Sequence, residues 1–259
     1  MRFKLTIEYA GTRYSGWQIQ KNARTVQGEI ESAITAATGE RDLELYGSGR
    51  TDAGVHALAQ VAHLDIHTTL SPDALRRRIN DELPADINVL LVEKARHTFH
   101  ARHDAIGRTY LYQVSRRRTA FAKPYVWWVK DDLDLVRMQD AASRFVGFHD
   151  FASFSDADPR QESTEVMLQT LDIGEDGDLI VFRVDGSHFI WKLVRRLVGV
   201  IVEVGRGGLT PDEAAGMLSA DAGVPARLTA PASGLFLARV RYKGERREMP
   251  LPMVRVMAS

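Results

Sequence analysis

Asp52 lies in the stretch Gly49-Arg50-Thr51-Asp52-Ala53-Gly54-Val55-His56-Ala57, a carboxylate in a short glycine-flanked loop with an arginine two positions before it. Gly49 and Gly54 free the backbone for conformations that a Cβ disfavours and let a ligand approach closely. A carboxylate held in this way between two rigid elements can act as a nucleophile or a base. The same residues also compose an Asp-Gly turn with a surface Arg–Asp pair. The loop alone does not separate the two readings.

Other reactive groupings are weaker. His97, His100 and His103 have a spacing that would group them on a helix, but the pattern before Gly107 reads as a turn into a strand. Asp104 is the one carboxylate beside them, so no metal centre is expected there. Gly205-Arg206-Gly207-Gly208 lacks the lysine and hydroxyl residue of a phosphate-binding loop and follows a helix, so it reads as a helix stop. The chain contains no cysteine, which excludes disulfides, thiolate nucleophiles and cysteine metal sites, and fits a reducing cytosol.

The Asp52 loop needs elements to hold it. Residues 42–46 and 58–66 read as flanking strands. Arg2 to Tyr9 alternates apolar and polar residues as a strand does, and not as a secretory leader does. A helix is predicted from about Thr25, with Val26, Ile30, Ala33, Ile34 and Ala37 on one face and Gly39 as its stop. Ser71-Pro72 opens a second helix with Leu75, Ile79 and Leu83 inward, and Ile87 to Arg96 is a further strand. Later in the chain, Thr109 to Ser115 reads as a strand and Leu135, Met138, Ala142 and Phe145 mark a helix. Val166 to Ile173 and Leu179 to Val184 form a hairpin turned through residues 174–177. His188 to Val204 reads as a long helix, Thr210-Pro211-Asp212-Glu213 as a helix start, and Leu235 to Tyr242 as a closing strand. The expected architecture is α+β, with two similar halves, 1–105 and 106–259, sharing a largely antiparallel continuous sheet.

With 259 residues and 44% hydrophobic content, the chain can bury a substantial core, and it has no apolar run long enough to suggest a membrane span. Net charge is +0, so composition does not point to nucleic acid. Distribution does: Ala95 to Arg118 holds six arginines and one aspartate, with Tyr110 and Tyr112 among them. Basic residues interleaved with aromatics suit RNA phosphates and unstacked bases. Arg76-Arg77-Arg78 and Arg195-Arg196 add positive charge elsewhere, although such runs are commonly solvated faces.

Gly49 to Ala57 resembles the signature of the tRNA pseudouridine synthase A family, and further segments agree in order. These are Tyr9-Ala10-Gly11-Thr12 through Gly16-Trp17-Gln18-Ile19-Gln20; Phe99-His100-Ala101-Arg102 with Arg108-Thr109-Tyr110-Leu111-Tyr112; Phe148-His149-Asp150-Phe151 with Ser153-Phe154; the helix from Phe189 to Gly199; and Ala230-Pro231 with Gly234-Leu235. The resemblance implies a pseudouridine synthase fold with RNA in a central cleft between the halves. It also implies isomerisation of uridine at positions 38, 39 and 40 of the anticodon stem-loop of tRNA, by a cytoplasmic homodimer. The catalytic aspartate would be Asp52, Tyr110 would stack on the flipped base, and Arg195 would pair with Asp52. Arg50, Arg102, Arg108 and His56 are candidate RNA contacts. Ala10 departs from the aspartate usual in the family, and Phe189-Ile190-Trp191-Lys192 departs from its usual leucine and basic residue.

Pseudouridine formation breaks the uracil N1–C1′ bond, turns the base, and rejoins it through C5 to the same carbon. It involves no redox change, so no cofactor or metal is expected. An anionic oxygen would attack C1′, as retaining glycosidases do, or take the 2′ proton to give a glycal. A carboxylate that must stay ionised where water is excluded needs a cation beside it, the role the resemblance gives Arg195. Two rivals remain. A non-catalytic RNA-binding module or chaperone would need the basic aromatic strip but not Asp52. A glycosidic hydrolase would need a second carboxylate, for which only the remote Asp150 and Glu162 offer themselves.

Overall fold

A computed structural model describes residues 1–156, 163–219 and 223–245. The chain is mixed α+β and divides into two compact units. The first comprises Met1–Ile106 and takes in the last strand from Phe236; the second is Gly107–Leu235.

In the first unit, β1 (Arg2–Tyr9) runs antiparallel to β3 (His56–Ile66) on one side and to β4 (Ile87–Lys94) on the other. The short β2 (Leu43–Gly47) pairs antiparallel with β3. Phe3, Leu5, Ile7 and Tyr9 are the buried half of the β1 alternation, the period-two pattern of a sheet with one face on a core. The helices α1 (Val26–Thr38) and α2 (Pro72–Glu82) pack on each other, α1 also meeting β2 and α2 meeting β4. Thr25 caps α1 by accepting from Gly28 N–H, and Gly39 ends it in the left-handed region at φ +76°. Ser71 caps α2 ahead of Pro72, and Leu75 and Ile79 are its fully buried residues.

In the second unit, β5 (Ala105–Ser115, of which the first two residues belong to the first unit) pairs antiparallel with β9 (Leu179–Gly186) and parallel with the two-residue β6 (Trp127–Trp128). β8 (Glu165–Asp176) joins β9 to the edge strand β7 (Gly147–Asp150). The β8–β9 turn is tighter than expected. Gly174, Glu175 and Asp176 stay paired with Val181, Ile180 and Leu179, so the reversal falls on Gly177, at φ +60°, and Asp178. The helices are α3 (Leu135–Ser143), the apolar α4 (Leu193–Gly205), α5 (Pro211–Gly216) and the short α6 (Val224–Arg227). α5 begins with a complete capping box between Thr210 and Glu213.

The expected helix from His188 is shorter. Lys192 adopts the left-handed conformation at φ 62°, and Leu193 N–H closes a turn on the Ile190 carbonyl, so the helix begins only at Leu193. The last strand, β10 (Leu235–Tyr242), leaves the second unit at Phe236 and runs parallel to β3, opposite His56 and Ala57.

Candidate active site

The Asp52 loop spans the gap between β2 and β3 and is anchored at both ends. Ser48 N–H donates to the Val61 carbonyl (2.7 Å), and its hydroxyl donates to Gln60 Oε1 (2.7 Å). Gln60, itself wholly buried, donates its side-chain amide to the Gly49 carbonyl (3.0 Å). At the far end Val55 N–H donates to the Asp52 carbonyl (3.1 Å), a turn that Gly54 closes at φ +80°. Gly49 is different: its φ is not positive and an added Cβ would meet open space.

A second layer comes from the segment between β1 and α1. Trp17 N–H donates to the Thr51 carbonyl (3.0 Å), the Thr51 hydroxyl meets the Tyr9 hydroxyl (2.8 Å), and Gly11 N–H donates to His56 Nδ1 (3.0 Å). These contacts require two glycines. A Cβ on Gly11 would stand 1.9 Å from the Val55 carbonyl oxygen, and one on Gly16, already at φ +93°, 2.6 Å from that of Thr51. With Thr51 turned inward, Asp52 is half-buried and Arg50 exposed on the outward side.

Neither Gln60 nor Thr51 nor Tyr9 stands out in the sequence as site residues. Tyr9 and Thr51 fall inside segments that carry the family resemblance, and Gln60 is marked only by the alternation of β3. Ala10 precedes the Gly11–Arg13 turn without a side-chain cap, and its N–H donates to the Asp86 carbonyl (2.9 Å). The Asp86 carboxylate in turn accepts from Arg13 and from the Tyr14 hydroxyl (2.6 Å), and these bonds hold it below the usual carboxylate range against the opposing effect of its burial.

His56 is the first residue of β3 and is 1% exposed. Its ring stacks on Phe236 (4.7 Å between centroids, 25° between planes) and its Nδ1 is the acceptor for Gly11. It therefore shapes the loop from behind. Arg102 is exposed in the turn after Phe99, and its N–H donates to His100 Nδ1 (3.2 Å).

In the second unit, Tyr110 and Tyr112 share one face of β5. Tyr112 is the fully buried one; its hydroxyl donates to the Pro231 carbonyl (2.7 Å), and burial pushes its ionisation well up. Tyr110 is half-buried and meets Phe189 edge-on at 4.9 Å. Arg195 lies in the first turn of α4, half-buried, with its Nε donating to the Ala230 carbonyl (2.7 Å). Its neighbour Arg196 is 2% exposed and pairs with the half-exposed Asp156, to which Lys192 also donates (3.1 Å). Arg108 donates to the Ser187 carbonyl (3.2 Å). Asp52, Arg50, His56 and Arg102 thus belong to the first unit, and Tyr110, Arg108 and Arg195 to the second.

The basic strip is less available than its sequence suggests. Arg116 pairs with Glu175 and Arg117 with Asp178 (2.9 Å), because β5 ends beside the β8–β9 turn. The histidines form a ring cluster, with His63 4.7 Å from His100 and His100 4.2 Å from His103. Tyr46 stacks on His63 at 5.6 Å. Burial, then Arg2 and His100, push His63 down to about 4. Among the described residues no three His, Cys, Asp or Glu side chains are grouped as metal ligands. Asp150 accepts from Ala152 N–H (2.9 Å) and the Thr164 hydroxyl (2.6 Å), a turn-capping use; Glu162 lies outside the described residues.

Comparison with known proteins places these residues in context. A family model described as tRNA pseudouridine synthase matches residues 5–104 and 141–243. A tRNA pseudouridine synthase A of Rhodopseudomonas palustris is 42% identical over 245 residues, covering 93% of this chain and 99% of the relative. Proteins of the same name from Nitrobacter winogradskyi and Brucella ovis are 42% identical over 246 residues, covering 94% and 93% of this chain and 96% and 98% of their own. A solved chain from a Cbf5-Nop10-Gar1 complex aligns with 77% of this chain and 54% of its own at 12% identity, with a TM-score of 0.31, too low to bear on the fold.

Proposed function

The chain belongs to the tRNA pseudouridine synthase family, and from that premise we propose that it isomerises uridine to pseudouridine in tRNA, at positions 38, 39 and 40 of the anticodon stem-loop. The observation that carries the reading is the Asp52 loop, whose backbone is fixed by hydrogen bonds from two independent segments while Asp52 itself remains half-buried. A catalytic group needs that combination of rigid backing and partial access.

In this reading Asp52 supplies the anionic oxygen, at C1′ or at the 2′-hydrogen. The N1–C1′ bond breaks as Asp52 bonds to C1′ or takes the 2′ proton, the base turns, and C5 bonds to C1′ as Asp52 leaves that carbon or returns the proton to C2′; C5 then gives up its own proton and N1 gains one. Tyr110 stacks on the base once it has left the RNA stack. Arg195 is the cation that pairs with Asp52. Arg50, Arg102 and Arg108 take RNA phosphates, and His56 contributes through the loop it supports. Three adjacent targets suit recognition by shape and backbone contact over base-edge reading. The enzyme acts in the cytoplasm, as the cysteine-free composition suits, and as a homodimer.

The test is pseudouridine mapping of an unmodified tRNA transcript after treatment with wild-type protein, Asp52→Asn and Asp52→Ala. New pseudouridine at 38 to 40 with wild type alone is the expected result. Wild-type protein that binds the transcript and leaves every uridine unchanged would overturn the reading in favour of an RNA-binding module.

A further inference from the structure

The segment Leu228–Gly234 touches both elements that carry the proposed second-unit site residues. On one side it meets α4. Arg195 donates its Nε to the Ala230 carbonyl (2.7 Å), and Ala230 N–H donates back to the Arg195 carbonyl (3.0 Å). The approach is too close for any side chain on the helix, since a Cβ on Gly199 would lie 1.6 Å from the Leu228 carbonyl oxygen. On the other side the segment meets β5. The Tyr112 hydroxyl donates to the Pro231 carbonyl (2.7 Å), and a Cβ on Gly234 would lie 2.6 Å from the Tyr112 ring. Ala230 is wholly buried between these contacts.

Two consecutive carbonyls, of Ala230 and Pro231, therefore hold the guanidinium of Arg195 and the strand face that bears Tyr110. An arginine side chain has several rotatable bonds whose freedom is lost on being fixed. A carbonyl accepting at Nε fixes the plane of the guanidinium and leaves its two terminal nitrogens to face elsewhere. Burial keeps the Tyr112 hydroxyl protonated, so it stays a donor to Pro231 across the working range of pH.

We propose that Leu228–Gly234 is a brace that presets Arg195 relative to Tyr110, with Gly199 and Tyr112 as the positioning residues that seat it. The proposal rests on the assignment of Arg195 and Tyr110 made above. Gly199 and Tyr112 need not touch the RNA; they act through the geometry of their neighbours. Their substitution should lower the rate of the chemical step and leave tRNA affinity alone.

The test measures single-turnover pseudouridine formation and tRNA dissociation constants for wild type, Gly199→Ala, Tyr112→Phe, Arg195→Lys, and each of the first two combined with Arg195→Lys. Gly199→Ala should slow the step roughly a hundredfold, the scale of an ångström-sized misplacement, and Tyr112→Phe about tenfold, with affinity within about twofold of wild type. In the Arg195→Lys background, where no Nε remains to be held, each should cost no more than about twofold, since residues acting through one group are not additive. Equal losses in both backgrounds would overturn the brace and leave Arg195 its role. An Arg195→Lys enzyme as fast as wild type would instead overturn the assignment of Arg195. If Gly199→Ala does not fold, the Tyr112→Phe cycle decides the matter alone, because that change removes one hydroxyl and no volume.

Discussion

Gly11 and Val55 are in backbone contact at a separation that admits no side chain: a Cβ on Gly11 would sit 1.9 Å from the Val55 carbonyl oxygen. Through this contact the segment after the first strand supports the loop that carries Asp52, and the hydrogen bond from Gly11 to His56 Nδ1 lies beside it. Gly11→Ala must push the two apart. It should cost about 1–3 kcal/mol of stability and lower the rate of pseudouridine formation by more than it lowers tRNA affinity. Gly49→Ala, in the same loop but with open space at the Cβ, should change neither by much. Thermal melts and single-turnover rates on the pair check this contrast; equal damage from both would refute it.

Arg196 and Asp156 give an asymmetric prediction. The arginine is buried, with its Nε unpartnered, whereas the aspartate is 41% exposed. Asp156→Ala removes the carboxylate that Arg196 pairs with among the described residues and should destabilise by about 2–3 kcal/mol, less than breaking a wholly buried pair because water reaches one partner. Arg196→Met leaves a carboxylate that can turn to solvent and should cost less. Chemical denaturation of the two variants gives the comparison, and the reverse order would contradict it.

His63 links stability to pH. Its folded value of about 4 lies below the ordinary 6.5, chiefly through burial, so between these values the unfolded chain binds the extra proton. Stability should therefore fall as pH drops from about 6.5 towards 4, before the depressed carboxylates Asp65 and Asp156 contribute. His63→Asn keeps an acceptor for Ala101 N–H, which now donates to Nδ1 at 3.2 Å, and removes the titration. Its melting temperature should decline less between pH 6.5 and 5 than that of wild type. Parallel curves would show that His63 is not the source.

Salt dependence separates the arginines. Arg50 and Arg102 are exposed, and each neutralisation of a phosphate adds about one unit to the slope of log affinity against log salt. Arg50→Ala and Arg102→Ala should flatten that slope. Arg116→Ala and Arg117→Ala, whose partners are Glu175 and Asp178, should leave it nearly unchanged.

These differences follow the range of the interactions involved. Thr25 and Gly39 around α1, Ser71-Pro72 at α2 and the Thr210–Glu213 box at α5 are local devices, and each is legible from a few adjacent residues. So is the placement of Asp52 in a loop between two strands. Lys192 in a left-handed conformation is not, because nothing in lysine favours it, and the apolar run through Ile190 places the expected helix start five residues ahead of the observed one. Gly174 to Asp176 look like a turn by composition, yet they continue β8 because β9 offers them partners in register. Of the two glycines that the sequence marks beside the aspartate, Gly54 takes the left-handed conformation and Gly49 does not, while the contacts of Gly11 and Gly16 with the loop show only once the segments meet. His56 reads as a candidate RNA contact from its place in the motif and is a buried acceptor in the structure.

The strand from Phe236 to Tyr242 belongs to the unit that opens the chain, and it bears on how the protein is made. A ribosome releases the Asp52 loop well before the strand that supports it, whose Phe236 stacks on His56. Domains tend to fold in the order they emerge, yet this one must wait for the whole of its successor. Closing so long a loop is also slow. Nascent chains should thus carry an unfinished aspartate loop until Phe236 has emerged, and the setting for chemistry is assembled only after that point.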